Sequence, residues 1–336
     1  MIHVAYRLWS GDGFYAKMCG TSMLSMFENT QKEVTIHIMH NNRLTPDNRE
    51  KLCYIAWQYN QHIEFRDVEK TSGSTLRKFE EAHPIKSGIN AAWYPLITHE
   101  VFPDLDKIIF LGTDTVFNID VGELWNYELG EYGFAAVSEW FIKKTNPNPI
   151  CKDGYVKKED YFNSDVLIFK IDFFRQHFDE LLEVCKFVGK HRDRYVNAEN
   201  DVLAVFCYKD YTRLPENFNV LINHLHLHQP QPSYTLEKAL YHYSDFVKPS
   251  FDTDDVFNRL YLQYFLKKPW ATPDMFGNID KKFKEIFRQT INTYKNYLLH
   301  FTNLFTHRQR AFFLDNNSIK AIKNIFAIKD DELIID

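Results

Sequence analysis

The sequence lacks the features that mark secreted, membrane-spanning and repetitive proteins. Its five cysteines are scattered and include no Cys-x-x-Cys pair, so we expect neither disulfide bonds nor a thiolate zinc site. No apolar run approaches the ~18 residues that span a bilayer, and the first residues lack the charged start and apolar stretch of a signal peptide. Only 12 glycines and 12 prolines occur in 336 residues, which excludes collagen-like and low-complexity chains. These absences predict a cytoplasmic location.

The chain also has little excess charge, although that charge is unevenly distributed. The net charge of −5 argues against a nucleic-acid partner. Residues 281–329 carry a net charge of +8, which leaves −13 for the remainder. We therefore predict a main domain over residues 1–265 and a basic, aromatic, helical tail over residues 266–336. The tail helices either pack on the domain with their lysines in water or contact the anionic inner face of a membrane, and both interpretations stay open.

Short apolar runs alternate with stretches of helical spacing along the first half of the chain. The helical stretches are Tyr15–Phe27 and a segment that starts at Thr45 and ends near Tyr59. This alternation predicts an α/β fold with a mostly parallel sheet flanked by helices. Ligands of such sheets bind beyond the carboxyl ends of the strands, so the loops after Tyr6 and Leu111 are expected to carry function. The predicted strands are Ile2–Tyr6, Val34–Met39, Ile63–Phe65, Lys107–Leu111, Gly133–Val137 and Val166–Phe169.

Two motifs suggest chemistry that simpler interpretations explain as well. The Gly-Asp-Gly turn at residues 11–13 follows the first strand, but Ala16 stands where a dinucleotide-binding fingerprint has its third glycine, so a dehydrogenase is excluded. The segment HLHLH alternates three histidines that could hold zinc in a strand. No nearby carboxylate or cysteine completes that set, and a solvent-facing cluster is the simpler interpretation. These histidines are His224, His226 and His228.

Polar residues follow two further segments of interest. Asp114 comes just after the buried strand KIIFL, where a cation and a phosphorylated ligand would bind in an α/β sheet, although an Asx turn is the simpler interpretation. His242 and Lys248 stand six residues apart in HYSDFVKP. An imidazole can bind a metal and an ammonium can neutralise a phosphate, but this segment alone could equally be a surface loop.

Taken in order, several segments resemble the motifs of one known family. They are Asp12 with Tyr15 after the first strand, AAWYPLITHEVFPDLDKIIFLGTDTVF followed by GELW, then YFNSDVLIFKI, ENDVLAVF and HYSDFVKP. The family is glycosyltransferase family 8, the retaining group with the GT-A fold that includes bacterial lipooligosaccharide galactosyltransferases and glycogenin. The resemblance covers roughly residues 1–270. It implies a Rossmann-like domain that binds a nucleotide sugar in a mixed, mostly parallel sheet.

The resemblance implies roles for individual residues. Asn163 and Glu139 would contact the donor sugar, and Glu199 with Asn200 would form the catalytic pair, with Asn200 beneath the anomeric carbon. Pro95 replaces the arginine that the family has ahead of the metal-binding strand. The nucleotide would contact Ala5, Asp12, Tyr15, Thr113 and Lys248.

The cation site that the resemblance implies is incomplete by sequence. Asp114 and His242 would hold Mn²⁺ or Mg²⁺, but Gly112 stands where the family's Asp-x-Asp motif has its first aspartate. Losing one carboxylate from a hard-cation site is expected to weaken binding. Asp165 and Asp245 each replace a glycine of the family pattern, and either could restore the lost charge from another direction.

The resemblance implies a function, and two alternatives stay open beside it. We expect transfer of a hexose from a UDP-sugar to a glycan or lipid-linked acceptor hydroxyl, with retention, in the synthesis of surface polysaccharide or lipopolysaccharide. Gly112 and Pro95 motivate a second hypothesis, a weakened relative that binds nucleotide or glycan without turnover. The third hypothesis is a zinc enzyme built on the three alternating histidines.

Overall fold

The computed structural model describes residues 1–9, 13–85, 90–139, 143, 148–208, 210–223, 225, 236–244, 249 and 255–271. The predicted tail helices and the HLHLH histidines lie outside these residues, as do Asp12, Asp245 and Lys248. Among the described residues, no helix combines the length and the apolarity that crossing a bilayer requires.

The strands form one large and one small sheet. The strands are β1 (Ile2–Leu8), β2 (Val34–His40), β3 (His62–Asp67), β4 (Lys107–Leu111), β5 (Thr115–Phe117), β6 (Phe134–Ser138), β7 (Phe162–Lys170), β8 (Thr212–Leu214), β9 (Val220–Leu221) and β10 (Leu240–His242). The large sheet has the order β3-β2-β1-β4-β7-β6-β8. Its first four strands pair in parallel, as do β6 and β8, whereas β7 runs antiparallel to both of its neighbours. The predicted mixed, mostly parallel sheet is confirmed.

Helices connect these strands and begin where the sequence supplies a cap. At the start of the second helix the Thr45 side chain accepts a hydrogen bond from the Asn48 backbone N–H at 3.2 Å, and Pro46 occupies the first turn, as predicted. Asp67 and Asp255 cap two other helices in the same way. The helices are α1 (Phe14–Glu28), α2 (Pro46–Gln58), α3 (Val68–Ala82), α4 (Thr98–Val101), α5 (Val121–Trp125), α6 (Pro149–Lys152), α7 (Asp172–Gln176), α8 (Phe178–Lys190), α9 (Ala198–Phe206) and α10 (Val256–Phe265), with 3₁₀ segments at Asn90–Ile97 and Glu216–Phe218.

The large sheet is buried on both faces, and each face has its own hydrophobic core. Because side chains alternate along a strand, Tyr6 of β1 points into the first core, with α1, α2 and α10, whereas Ala5 points into the second. The second core includes residues of α3, α8 and α9. Because both faces are buried, the strand sequences are nearly continuous apolar runs.

The small sheet brings β10 against the loop that follows β4. β10 pairs antiparallel with β5 and parallel with β9. In this register His242 lies opposite Thr115, the residue after Asp114. The backbone N–H of Tyr243 also donates to the Asp114 carbonyl oxygen at 2.9 Å. The small sheet therefore holds His242 and Asp114 side by side.

The chain beyond α10 packs against α1. Trp270 is 5% exposed, and a Cβ added at Gly20 of α1 would lie 2.6 Å from its ring. The ammonium of Lys268 is buried there and donates to the Lys17 carbonyl and the Thr21 hydroxyl. Burial lowers the pKa of Lys268. The domain boundary at residue 265 stays a prediction, because residues 272–336 lie outside the described part of the chain.

Candidate active site

The direction of β7 decides which residues meet at the edge of the large sheet. Because β7 runs antiparallel to β4, its amino end lies beside the carboxyl end of β4. The backbone N–H of Gly112 donates to the Asp165 carbonyl oxygen at 2.8 Å and continues this pairing. Arg7, near the carboxyl end of the adjacent β1, lies on the same edge. Three strands thus contribute polar residues to one small region.

Arg7 is the centre of a network of ion pairs that the sequence did not reveal. Its guanidinium donates from Nη2 to Asp165 Oδ1 and from Nη1 to Glu199 Oε1, the latter at 2.6 Å. The side chains of Arg7, Asp165 and Glu199 are 18%, 13% and 10% exposed. Burial opposes the charge of Arg7, but Asp165, Glu199 and Asp114 outweigh burial and raise the pKa of the guanidinium. Arg7 therefore remains a fixed cation among three carboxyl groups.

Asp165 occupies the space that opens beside Gly112. A Cβ added at Gly112 would lie 2.7 Å from Asp165 Oδ1 and 3.0 Å from Asp114 Oδ1. Contacts this short are incompatible with a side chain at 112 unless its neighbours move. The Asp165 carboxylate therefore lies where a side chain at position 112 would have to begin.

His242 points its ring towards both aspartates. The side chain is fully buried, and its Nε2 lies 3.4 Å from Asp114 Oδ1 and 3.6 Å from Asp165 Oδ2. The two oxygens of Asp165 are thus divided, with Oδ1 bound to Arg7 and Oδ2 directed to His242. Asp114 and His242, the two predicted metal ligands, are brought together as the resemblance implied.

A chain of amide hydrogen bonds fixes the tautomer of His242. The backbone N–H of Asp165 donates to Asn163 Oδ1 at 3.0 Å, which identifies that atom as the amide oxygen. Asn219 must then donate to Asn163 Oδ1 through Nδ2, at 3.2 Å. Its remaining Oδ1 accepts from His242 Nδ1 at 3.0 Å. A neutral His242 therefore carries its proton on Nδ1 and directs the Nε2 lone pair at the two aspartates.

The predicted catalytic pair begins helix α9. Asn200 Oδ1 accepts a hydrogen bond from the Ser164 backbone N–H at 2.6 Å, so its amide is held against β7. Burial raises the pKa of Glu199, and the charge of Arg7 acts against that rise. Ala198, just before them, has a φ of 39°, a left-handed conformation that is strained for alanine. Strain of this kind is common beside functional groups.

The other predicted contacts are distributed around this cluster. Ala5 is fully buried with its side chain in the second core, and Thr113 is 3% exposed. Tyr15 is half-buried in α1 and meets the Trp9 ring edge-on at 6.2 Å. The backbone N–H of Glu139 donates to the Tyr161 carbonyl oxygen at 2.9 Å. The roles of these four residues stay predictions.

The charge of the cluster suits a cation, although no metal centre is preformed. With Asp114, Asp165 and Glu199 ionised, Arg7 charged and His242 neutral, the cluster has a net charge of −2. Among the described residues, no three histidine, cysteine, aspartate or glutamate side chains form a ready-made metal centre. These five residues by themselves would repel a nucleoside diphosphate unless a further positive charge lay beside it.

Solved glycosyltransferases share this fold. The crystal structure of galactosyltransferase LgtC in complex with donor and acceptor sugar analogues matches with a TM-score of 0.65 over 85% of this chain and 100% of that chain, at 16% identity. The apo structure of the bifunctional glycosyltransferase WbbM matches with a TM-score of 0.63 over 82% of this chain and 51% of its own, at 18% identity. These matches confirm the GT-A fold that the resemblance implied.

Sequence comparisons identify the family. A Haemophilus influenzae protein with a provisional glycosyltransferase name is 22% identical over 215 residues, which is 63% of this chain and 62% of that protein. General stress protein A of Bacillus subtilis is 24% identical over 219 residues, 62% of this chain and 71% of its own length. The family model described as Glycosyl transferase family 8 matches residues 6–253. Since that match spans most of the sequence, this chain belongs to glycosyl transferase family 8.

Proposed function

We propose that the chain transfers a hexose from a UDP-sugar to the hydroxyl of a glycan or lipid-linked acceptor, with retention at the anomeric carbon, in the synthesis of surface polysaccharide or lipopolysaccharide. One observation carries this proposal. Near the carboxyl ends of β1 and β4, Arg7 pairs with Asp165 and Glu199, and His242 lies beside Asp114 and Asp165, although these residues come from separate segments. In α/β sheets with such a topology, that edge is where ligands bind.

A divalent cation fits the residues at this edge. Carboxylate oxygens are the ligands that Mn²⁺ and Mg²⁺ prefer, and the tautomer of His242 directs a nitrogen lone pair to the same point. Asp114 and His242 would hold the ion, which would offset the charge that develops on the departing diphosphate.

Asn163 is suited to donate hydrogen bonds to the donor sugar. Its Oδ1 already accepts two hydrogen bonds, from the Asp165 backbone and from Asn219. Its Nδ2 hydrogens are therefore the part of the amide available to a sugar hydroxyl, whose oxygen would accept them. Glu139 would complement Asn163, since a carboxylate can only accept from hydroxyl groups.

Asn200 would stabilise positive charge at the anomeric carbon. An amide is a poor nucleophile, so a route in which the acceptor attacks from the side of the leaving group suits Asn200 better than a covalent intermediate. The hydrogen bond from Ser164 would hold the amide in one orientation throughout. Turnover by an Asn200→Ala variant at the wild-type rate would exclude this role.

Calorimetric titration of UDP, first with Mn²⁺ and then with EDTA, tests the donor site. Binding that needs Mn²⁺ supports both the nucleotide and the cation. Binding that survives EDTA supports the nucleotide alone, and the absence of binding in both conditions contradicts the proposal. A screen of UDP-sugars for product then separates transfer from binding without turnover, the alternative that Pro95 in the 3₁₀ segment Asn90–Ile97 favours.

A further inference from the structure

Asp165 is the acidic residue at this site that the family pattern does not account for. It stands at the start of β7 where the pattern has a glycine, while Gly112 stands where the pattern has an aspartate. The two departures face each other across the antiparallel β4–β7 pair, joined by the 2.8 Å hydrogen bond from Gly112 N–H to the Asp165 carbonyl. A Cβ at 112 would meet Asp165 Oδ1 at 2.7 Å. Glycine at 112 therefore leaves room for the Asp165 side chain, and Asp165 replaces the carboxylate that position 112 lacks.

The direction of the Asp165 side chain gives it a second partner. Its Oδ1 is bound to Arg7, which leaves Oδ2 as the oxygen available to a second partner. Its Oδ2 is turned to His242 and lies 3.6 Å from Nε2. Asp114 Oδ1 lies 3.4 Å from the same nitrogen. Neighbouring ligands of an octahedral ion with bonds of about 2.1 Å lie about 3.0 Å apart, so these atoms would need to approach each other by about half an ångström to share one ion.

The hydrogen-bond chain through Asn163 and Asn219 directs Nε2 of His242 towards the same two carboxylates. It leaves a lone pair on Nε2 of the neutral ring facing two carboxylate oxygens. Three electron-rich atoms directed at one point repel each other unless a proton or a cation lies between them. An outer-shell amide that orients a histidine in this way is common around bound metals.

We propose that Asp165 Oδ2, together with Asp114 Oδ1 and His242 Nε2, binds the divalent cation, so that Asp165 supplies from β7 the carboxylate that position 112 has lost. Arg7 acts as a positioning residue, because it holds the other oxygen of the same carboxylate. This inference deepens the proposed function by naming the residue that completes its cation site.

Binding of Mn²⁺, followed by the decrease in the electron paramagnetic resonance signal of the free ion, tests this directly. The ion is titrated into wild-type, D165N and D160N chains, each with and without UDP. Asp160 is the control, because its buried carboxylate also pairs with an arginine, Arg213 on the outer strand β8, although that arginine is 57% exposed. Loss of an outer-shell partner costs about 10–100-fold in metal affinity, so loss of a ligand in D165N should cost about tenfold or more. D160N should bind within about twofold of wild type.

An exchange of the two positions keeps the inference testable even if D165N is poorly folded. D165G should lose about tenfold or more in Mn²⁺ affinity, and G112D/D165G, which restores the family pattern, should regain most of that loss. Circular dichroism on each variant separates misfolding from lost ligation. The inference is overturned if wild type binds no Mn²⁺ in either condition, if D165N binds it as wild type does, or if the exchange restores nothing. Because sugar transfer is not measured, a chain that lacks transferase activity leaves each of these results unchanged.

Discussion

Replacement of Arg7 by alanine is the perturbation with the largest expected effect on stability. It removes the guanidinium from Asp165 and Glu199, which are 13% and 10% exposed. Removing one partner from a buried ion pair typically destabilises a protein by about 3–5 kcal/mol, since a desolvated charge is left behind. Burial already raises the pKa of Glu199, so this group can take up a proton and relieve part of the penalty. We therefore expect a loss near the lower end of that range, about 3 kcal/mol at pH 7.5.

The same reasoning predicts how the loss depends on pH. In Arg7→Ala, Glu199 keeps its desolvation penalty without the compensating cation, so its pKa rises further and it is more protonated as the pH falls. The destabilisation should therefore be smaller at pH 5 than at pH 7.5. Urea unfolding followed by circular dichroism measures the free energy of unfolding at both values. Thermal denaturation should show a decrease in Tm of about 6 °C or more at pH 7.5.

Arg175→Ala is the control for this experiment. Arg175 pairs with Asp172 in α7, but the two side chains are 46% and 58% exposed, and such pairs contribute about 0–1 kcal/mol. A loss in Arg7→Ala no larger than that in Arg175→Ala would show that the charges around Arg7 are well solvated. A loss of the same size at pH 5 and pH 7.5 would show that the carboxylates are not its cause.

Further predictions concern packing and acid stability. Gly189→Ala on α8 would bring a Cβ to 2.1 Å from the Ala82 carbonyl oxygen and should cost about 1–3 kcal/mol. Gly73→Ala on α3 meets only flexible side chains at 3.4 Å or more and should be neutral or stabilise by up to about 1 kcal/mol, and urea unfolding of both variants tests the contrast. Burial, with help from nearby positive charge, lowers the pKa of His37 from 6.5 to about 3, so the neutral ring is favoured in the folded chain. The resulting stability, at most about 5 kcal/mol, is complete above pH 6.5 and is lost as the pH falls towards 3. His37→Gln should therefore flatten the decline of unfolding free energy between pH 7 and pH 4, and a variant as acid-sensitive as wild type would contradict this assignment.

Local structure was predictable from the sequence to a large extent. The strand predicted at Lys107–Leu111 has those bounds, and the helix predicted at Tyr15–Phe27 extends over Phe14–Glu28. Hydrophobic periodicity suffices for such elements, because each depends on which of its own faces is buried. The short strands β8, β9 and β10, with two or three residues each, were not predicted because they are too brief to show a period.

The candidate site was predictable only in part. The resemblance supplied Asp114, His242 and Asn200, and β10 does bring His242 to Asp114. It did not reveal Arg7, although an arginine near the end of a buried strand is an unusual residue that could have signalled the ion pairs. Strand β7 was predicted to start at Val166 but starts at Phe162, because its polar residues hide the pattern.

Ion pairs between residues far apart in the sequence could not be predicted from the sequence. Arg7 and Glu199 are 192 positions apart, and nothing in the local sequence around either residue indicates the other. Asn219 carries no motif at all, yet it sets the tautomer of His242. Which strands become neighbours, and in which direction they run, depends on packing over the whole domain rather than on adjacent residues.

The close approach of positions 112 and 165 has a consequence for how this sequence could have evolved. A side chain at 112 and the aspartate at 165 cannot occupy the same region without movement of the strands. Single substitutions from one arrangement to the other pass through a chain with two acids in that region or with none. We therefore expect the two positions to covary among relatives, with an acid at one and glycine at the other, so that the effect of a change at either position depends on which residue the other one holds.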